Sequence, residues 1–307
     1  MIYLITCISV VFYFIFIIFI ISGLFKHESP NISSSKDLPM VSVVIAARNE
    51  DSNLPDLIYD LVNQEYPLDK LEVIFVNDRS TDLTNRILNE ASDNYSFIKQ
   101  IVIEELSAEM TPKKYALTKG IESANGEIII STDADCRVGK LWVSSMTSDV
   151  IKSNGISIGF SKISDKSFFD QYQKIDFLGI ISANAGAGGW KQFWSGTGQN
   201  LAYFKSDFIL IDGFEPVKNK ISGDDMYLVQ AISKVKSGSI NIDPNSFVST
   251  KPMKNIKEFI NQRIRWSSNA KLNVKKSPYF FSFLASSFSF NLILLFYFLF
   301  SETWILL

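Results

Sequence analysis

Residues 1–25 hold no charged side chain, and a second uncharged apolar stretch runs over residues 279–300. About 20 such residues, rising 1.5 Å each, cross a hydrocarbon core of roughly 30 Å. Each stretch is long enough to span a membrane. A cleaved signal peptide wants a basic start, a shorter apolar run and a small-residue cleavage site. The first stretch begins Met-Ile-Tyr-Leu and overshoots that length, so 1–25 reads as an uncleaved anchor and 279–300 as a second transmembrane helix. Two long helices buried in a soluble core are the bland alternative, and it would need two uncharged segments at opposite ends of one fold. Residues 301–307 read as the start of an incomplete further span. Lys26 and Lys36 follow the first stretch, Lys271, Lys275 and Lys276 precede the second, and Glu302 follows it. Basic residues beside a span favour the cytoplasmic side. The expectation is a multi-pass protein of the cell inner (plasma) membrane with its central region in the cytoplasm.

Composition narrows what that region does. Thirty Lys and Arg stand against 32 Asp and Glu, a net charge of −2, which gives nucleic acid no basic face to bind. Two cysteines, Cys7 and Cys136, cannot form a disulfide framework or a four-thiolate site. The lone histidine, His27, leaves no His-clustered zinc site and makes a Ser-His-Asp triad a poor fit. The chemistry must run on carboxylates, Lys and Arg.

Residues 26–39, rich in Ser, Pro and charge, read as a linker. From residue 40 the pattern turns to strand, loop, helix, strand. Strands are expected at 41–47, 71–77, 97–103 and 127–131, with helices at 54–65, 81–95 and 114–124. That alternation argues an α/β unit with a mostly parallel sheet covered on both faces. In such sheets ligands bind at the carboxyl ends of the strands. The polar clusters at 48–53, 78–82 and 132–137 all fall there.

Three carboxylate sites stand out. Thr132-Asp133-Ala134-Asp135 follows a strand, and residues i and i+2 there point the same way. Two adjacent carboxylates repel, and oxygen ligands suit Mg2+ or Mn2+. A polar turn or helix cap is the plainer reading of an isolated Asp-x-Asp. Asp78 ends the second strand, where a carboxylate can accept a ring N–H or bind a sugar hydroxyl, although turn chemistry alone would also explain it. Asp82 reads as a first-turn helix residue. Gly223-Asp224-Asp225 opens an apolar periodic helix, and one aspartate can cap it while the other stays free for chemistry. Beyond lies Gln262-Arg263-Ile264-Arg265-Trp266. Its i, i+3, i+4 spacing sets Gln262, Arg265 and Trp266 on one helix face, with a guanidinium fork for phosphate and a flat indole wall. Ile256, Phe259, Ile260 and Ile264 make an apolar stripe, read as packing under the site or lying along a membrane interface.

In this order the motifs resemble those of the membrane-bound family 2 glycosyltransferases, the group of hyaluronan, chitin, cellulose and poly-N-acetylglucosamine synthases and ceramide glucosyltransferases. The resemblance covers about residues 41–266. It implies a GT-A-type nucleotide-sugar fold over 40–240, a QxxRW and membrane-interface region over 241–278, and flanking transmembrane helices. Val41-Ser-Val-Val-Ile-Ala-Ala-Arg-Asn-Glu50 looks like the family's first strand and nucleotide-contacting loop, which assigns Ala47 and Glu50 to the nucleotide. Asp78 matches the aspartate that binds uracil. Lys113 matches the lysine that approaches the diphosphate, although Pro112 replaces the usual glycine. Asp133 and Asp135 match the Asp-x-Asp pair, with Asp133 at the nucleotide and Asp135 holding the metal. The segment Ser195 to Tyr203, with Asn200 in it, resembles the border of donor sugar and acceptor. Asp225, beside Asp224, takes the catalytic base position. Gln262, Arg265 and Trp266 match QxxRW.

The implied reaction moves a sugar from a nucleotide-diphosphate sugar, with UDP-sugars foremost, to a hydroxyl of a glycan or lipid acceptor at the membrane. Membrane lipid is an implied partner, and a membrane partner subunit fits a chain with one complete C-terminal span. A departing diphosphate needs positive charge and an acceptor hydroxyl needs a base. One base and in-line displacement invert the anomeric centre. A dinucleotide oxidoreductase shares the strand–helix rhythm, but no G-x-G-x-x-G follows the first strand. An inactive membrane-anchored scaffold subunit of a polysaccharide or glycolipid synthase is the other alternative, and it would have no use for the carboxylates.

Overall fold

Strand β1 (Val41–Ala47) is an interior strand of a seven-stranded sheet in a computed structural model that describes residues 2–30, 38–164, 166–267 and 278–300. Lys36, Lys271, Lys275, Lys276, Glu302 and segment 301–307, used above for orientation and span count, lie outside the described residues. Strand β1 pairs in parallel with β2 (Leu71–Asp78) on one side and β4 (Ile128–Ser131) on the other. Strand β3 (Ile98–Ile103) extends the parallel set beyond β2. Past β4 the antiparallel β8 (Leu201–Phe204) intervenes, followed by β6 (Ile156–Gly159) and β9 (Gly238–Asn241). The order is β3-β2-β1-β4-β8-β6-β9.

The alternation of side chains along a strand explains why both faces are covered. Val41, Val43 and Ile45 of β1 pack with Leu54, Leu57 and Leu61 of helix α2 (Leu54–Val62) and Leu88 of α3 (Thr84–Asn94). Trp142 and Met146 of α5 (Trp142–Ser153) join that core. Val44 faces the other way, toward Ala116, Leu117 and Ile121 of α4 (Pro112–Ser123). Phe208 of α7 (Lys205–Leu210) and Leu228, Val229 and Ile232 of α8 (Asp224–Val235) complete this second core. A sheet buried on both faces reads as continuous apolar runs, and every residue of β2 is buried.

Local chemistry moved several helix ends. Helix α2 stops at Val62, short of the expected 65, because the Asn63 amide donates to the Tyr59 carbonyl (2.7 Å) and closes the turn. Helix α3 starts at Thr84, past the expected 81. Asp82 instead accepts the Thr84 and Asp51 N–H groups and joins the loops after β1 and β2. Helix α4 starts early, at Pro112, since a proline suits the first helical position. One expected domain boundary stands at residue 240. It falls inside β9, and the folded unit continues to β10 (Val248–Thr250), which pairs with β7 (Ser161–Ile163) and β5 (Arg137–Val138) in a second, three-stranded sheet. These strands are two or three residues long, too short for any periodicity to show.

Helix α1 (Ile2–Leu24) and the C-terminal helix α10 (Pro278–Phe300) are long and apolar enough to cross a membrane. They pack on each other through the stacked rings of Tyr13 and Phe290. The end of α1 is seated on α6 (Phe168–Gly189) so closely that a Cβ on Gly23 would come 1.8 Å from the Gly186 carbonyl oxygen. The Trp190 indole N–H donates to the Phe19 carbonyl, and the Lys26 ammonium lies 3.9 Å from the Trp190 ring centre. Helix α9 (Ile256–Ser267) runs beside α6, with Phe259 against Phe169 and Tyr172. Packing of its whole apolar stripe into the core is not what the chain does. No residue of α9 is buried, and Ile256, Ile260 and Ile264 are each about half exposed or more. Phe168, Tyr172, Ile175 and Leu178 of α6 are exposed as well.

Candidate active site

The polar loops expected at the strand ends meet there. After β1 the chain turns through Asn49, at a left-handed φ of 56°, whose side chain accepts the Thr81 N–H (2.8 Å). The Glu50 N–H donates to the Thr84 hydroxyl (2.8 Å), so the loop carrying Glu50 is fixed to the loop carrying Asp78. Ala47 ends β1 opposite Asn77 and is buried. Asp78 is buried, and both its oxygens accept from the Arg79 guanidinium, at 2.7 and 3.0 Å. Arg79, which the sequence reading passed over, has a left-handed φ of 55° that returns its side chain onto its neighbour. Asp78 therefore presents an ion pair at this position.

The Asp-x-Asp pair follows β4. Asp133 accepts from the Lys113 ammonium at 2.7 Å. Burial pushes the Asp135 carboxyl above its usual range, and the Asp133 charge adds to the push. Burial also raises Glu50, whose carboxylate accepts from Asn53 and feels Asp135 and Asp133. Three carboxylates thus share one field at the ends of β1 and β4. Such crowding favours a bound cation, so the residues fit a divalent ion. Asp135 is the candidate ligand, since Asp133 is engaged by Lys113. Among the described residues no three His, Cys, Asp or Glu side chains form a metal-holding group. Asp135 also borders a cavity of about 150 Å³ shared with Asn53, Arg137, Thr250 and Lys251.

Asp224 and Asp225 open α8 after Gly223, whose left-handed φ of 85° makes the turn into the helix. Asp225 accepts from its neighbour's N–H at Met226 (2.7 Å) and from the Gly198 N–H (3.3 Å). A Cβ on Gly198 would lie 3.7 Å from the Asp225 Cβ and 3.9 Å from both the Asp224 carboxylate and the Lys113 ammonium. Lys113, Asp224 and Asp225 therefore converge on one glycine. Burial, then the Asp224 charge, pushes Asp225 up to about 6, against the pull of Met226, Lys113 and Gly198. Burial works against the Lys113 ammonium, but Asp133, Asp224 and Asp225 together outweigh it and hold the lysine above its ordinary value.

Asn200 lies beneath the surface. It is fully buried, accepts from the Trp142 indole (2.9 Å) and donates to the Phe160 and Ser246 carbonyls. Its role is to fix the segment that carries Gly198. On α9, Gln262 is half-buried and Arg265 is exposed, and the Arg265 carbonyl accepts from Ser222 (3.1 Å), just before Asp224. Trp266 faces α6, with its ring near Phe177 and 4.3 Å from the Arg263 guanidinium, so its wall is covered on that side. Arg263 pairs with Asp176 of α6. Sequence reasoning also missed the Gly198 N–H, because a backbone donor leaves no mark in residue types.

The family model for "Glycosyl transferase family 2" matches residues 42–222. YdaM, a probable glycosyltransferase of Bacillus subtilis, is 29% identical over 297 residues, which is 92% of this chain and 69% of YdaM. A β-monoglucosyldiacylglycerol synthase of Nostoc sp. is 36% identical over 113 residues, and there the chain spans only 23% of the relative. The mannosyltransferase PcManGT of Pyrobaculum calidifontis, solved in complex with GDP-Man and Mn2+, shares the fold with a TM-score of 0.67 at 18% identity. That alignment covers 92% of this chain and 80% of PcManGT. A GT-A-like α/β fold with a mostly parallel central sheet, and a family match over more than half the residues, lead to one conclusion: this chain belongs to glycosyl transferase family 2 and is a glycosyltransferase.

Proposed function

We propose that the chain transfers a sugar, with inversion, from a nucleotide-diphosphate sugar to a hydroxyl of a glycan or lipid acceptor at the cytoplasmic face of the cell membrane. The observation that carries this reading is the convergence of Lys113, Asp224 and Asp225 on Gly198, one ion pair away from Asp133. In this reading the nucleotide lies over Ala47, Glu50 and the Asp78–Arg79 pair, with Asp133 at its inner side. Asp135 holds Mg2+ or Mn2+, which when bound supplies positive charge against the departing diphosphate. Lys113 and Arg265 add fixed positive charge to the same group. Gln262 and Trp266 set the helix that carries Arg265. Asp225 takes the acceptor hydroxyl's proton on its carboxylate, held in place by the Met226 and Gly198 N–H groups. An in-line attack by that oxygen inverts the anomeric carbon.

The exposed apolar rows of α6 and α9, next to the two long apolar helices, support action at a membrane surface. Lys26 and Trp190 at the end of α1 form a pair of the kind that sits at headgroup level. The test is product chemistry. The full chain in lipid vesicles, given labelled UDP-hexose or UDP-N-acetylhexosamine and membrane lipid extract, is expected to yield a product of inverted anomeric configuration. Retained configuration would reject the single-displacement scheme.

A further inference from the structure

Lys114 is 1% exposed, although it follows the cleft lysine Lys113 directly. A buried ammonium is costly unless paired. Among the described residues no carboxylate comes within ion-pair distance of it. Its Nζ instead donates to the Lys220 backbone carbonyl at 2.5 Å. That carbonyl lies in segment 218–223, the last stretch before Asp224, and the segment is tied at three places. Thr111, ahead of α4, donates its N–H to the Lys218 carbonyl (3.0 Å) and its hydroxyl to Lys220 (3.4 Å). Ser222 donates to the Arg265 carbonyl at the far end (3.1 Å). Lys114 holds the middle from inside. The strap thus touches α4 with Lys113, α8 with Asp224 and Asp225, and α9 with Arg265.

We propose that Lys114 is a positioning residue of the transfer reaction: its buried ammonium anchors segment 218–223 by the Lys220 carbonyl and thereby sets Asp225 and the Arg265 turn of α9 in register with Lys113. Three motifs far apart in sequence must keep a fixed spacing around one reacting centre, and this strap is where their elements meet. The charge has a second use. Burial drives the Lys114 ammonium down, and the Asp224 and Asp225 charges oppose that, with Lys113 acting in the same direction as burial. An apolar residue would fill the space without holding either the carbonyl or the carboxylates. The site therefore trades stability for geometry, as catalytic regions do.

The inference rests on Asp225 acting as base. The full chain in detergent or lipid is compared as Lys114→Met, Lys114→Arg and Ser222→Ala, measuring kcat, UDP affinity and Tm. Misplacement by about 1 Å costs roughly 10²-fold, so Lys114→Met is expected to lose about 10–100-fold in kcat, with UDP affinity within about twofold and Tm unchanged or higher. Lys114→Arg is expected to recover part of the rate, because it restores charge and donor. Ser222→Ala cuts the strap at its exposed end, so it is expected to lower kcat without lowering Tm, and it serves if Lys114→Met does not fold. A Tm that falls with kcat in both Lys114→Met and Ser222→Ala, or full turnover in both, overturns the proposal. Full turnover in Asp225→Asn overturns the base reading and the strap together. An inactive Asp225→Asn beside a fully active Lys114→Met overturns the strap alone.

Discussion

Removing or titrating one carboxylate should define the chemistry. Asp225 is pushed from an ordinary 3.8 to about 6 by burial first and by Asp224 second. A base works only when deprotonated, so the ionised fraction at pH 5 is about a tenth, and turnover should fall about tenfold per pH unit below pH 6. Asp224→Asn removes the like charge and should move this acid limb to lower pH while leaving an active enzyme. Asp225→Asn should lose about 10²–10⁴-fold in kcat and keep its nucleotide affinity. The linkage sign is also fixed. A folded-state pKa above the unfolded value gives stability that is present below about 3.8 and lost as pH rises through about 6. At neutral pH the Asn variant should therefore unfold at the same or a higher temperature. The assay is nucleotide release against pH for the three proteins, with Tm alongside. An acid limb near 4, or one that Asp224→Asn does not move, would refute this account of Asp225. A dead Asp224→Asn beside an active Asp225→Asn would reverse the two roles.

Other expected outcomes follow from the same geometry. Asp135→Asn, or excess chelator on the unmodified enzyme, should remove most donor turnover, and full turnover in chelator would exclude a required divalent ion. Arg265→Lys should reduce turnover more than Arg263→Lys, since a lysine cannot reproduce a bidentate fork on phosphate. Arg263→Lys, which weakens the contact with Asp176, should act mainly on Tm, and equal kinetic effects of the two changes would count against the assigned face. Protease added to intact cells should spare the region between the two long apolar helices, and permeabilised cells should expose it. Digestion in intact cells would reverse the orientation.

The parallel half of the sheet was legible because its strands are unbroken runs of Val, Ile and Phe between polar loops. Strand β1 follows the expected 41–47, and β2 adds one residue to the expected 71–77. The later strands escaped notice, because β5, β7 and β10 are stabilised by tertiary pairing and not by local pattern. In the site, carboxylate spacing pointed to loops that meet in the fold, and Asp133 and Asp225 both neighbour Lys113 in space. Spacing alone could not tell Asn200, turned into the core by Trp142, from a residue lining the cleft. Nor could it tell that Lys113 reaches Asp133 while Lys114 turns inward to the Lys220 carbonyl. Both distinctions depend on contacts with residues 20 to 106 positions away, which no local motif encodes.

The most direct measurement is nucleotide diphosphate release by the purified full chain across a panel of UDP- and GDP-sugars, with Asp225→Asn run in parallel. A base at Asp225 predicts divalent-ion-dependent release from at least one donor, lost by about two orders of magnitude in Asp225→Asn while nucleotide binding stays intact. Equal release by the two proteins, or donor binding without release from any sugar when acceptor lipid or glycan is supplied, would contradict it.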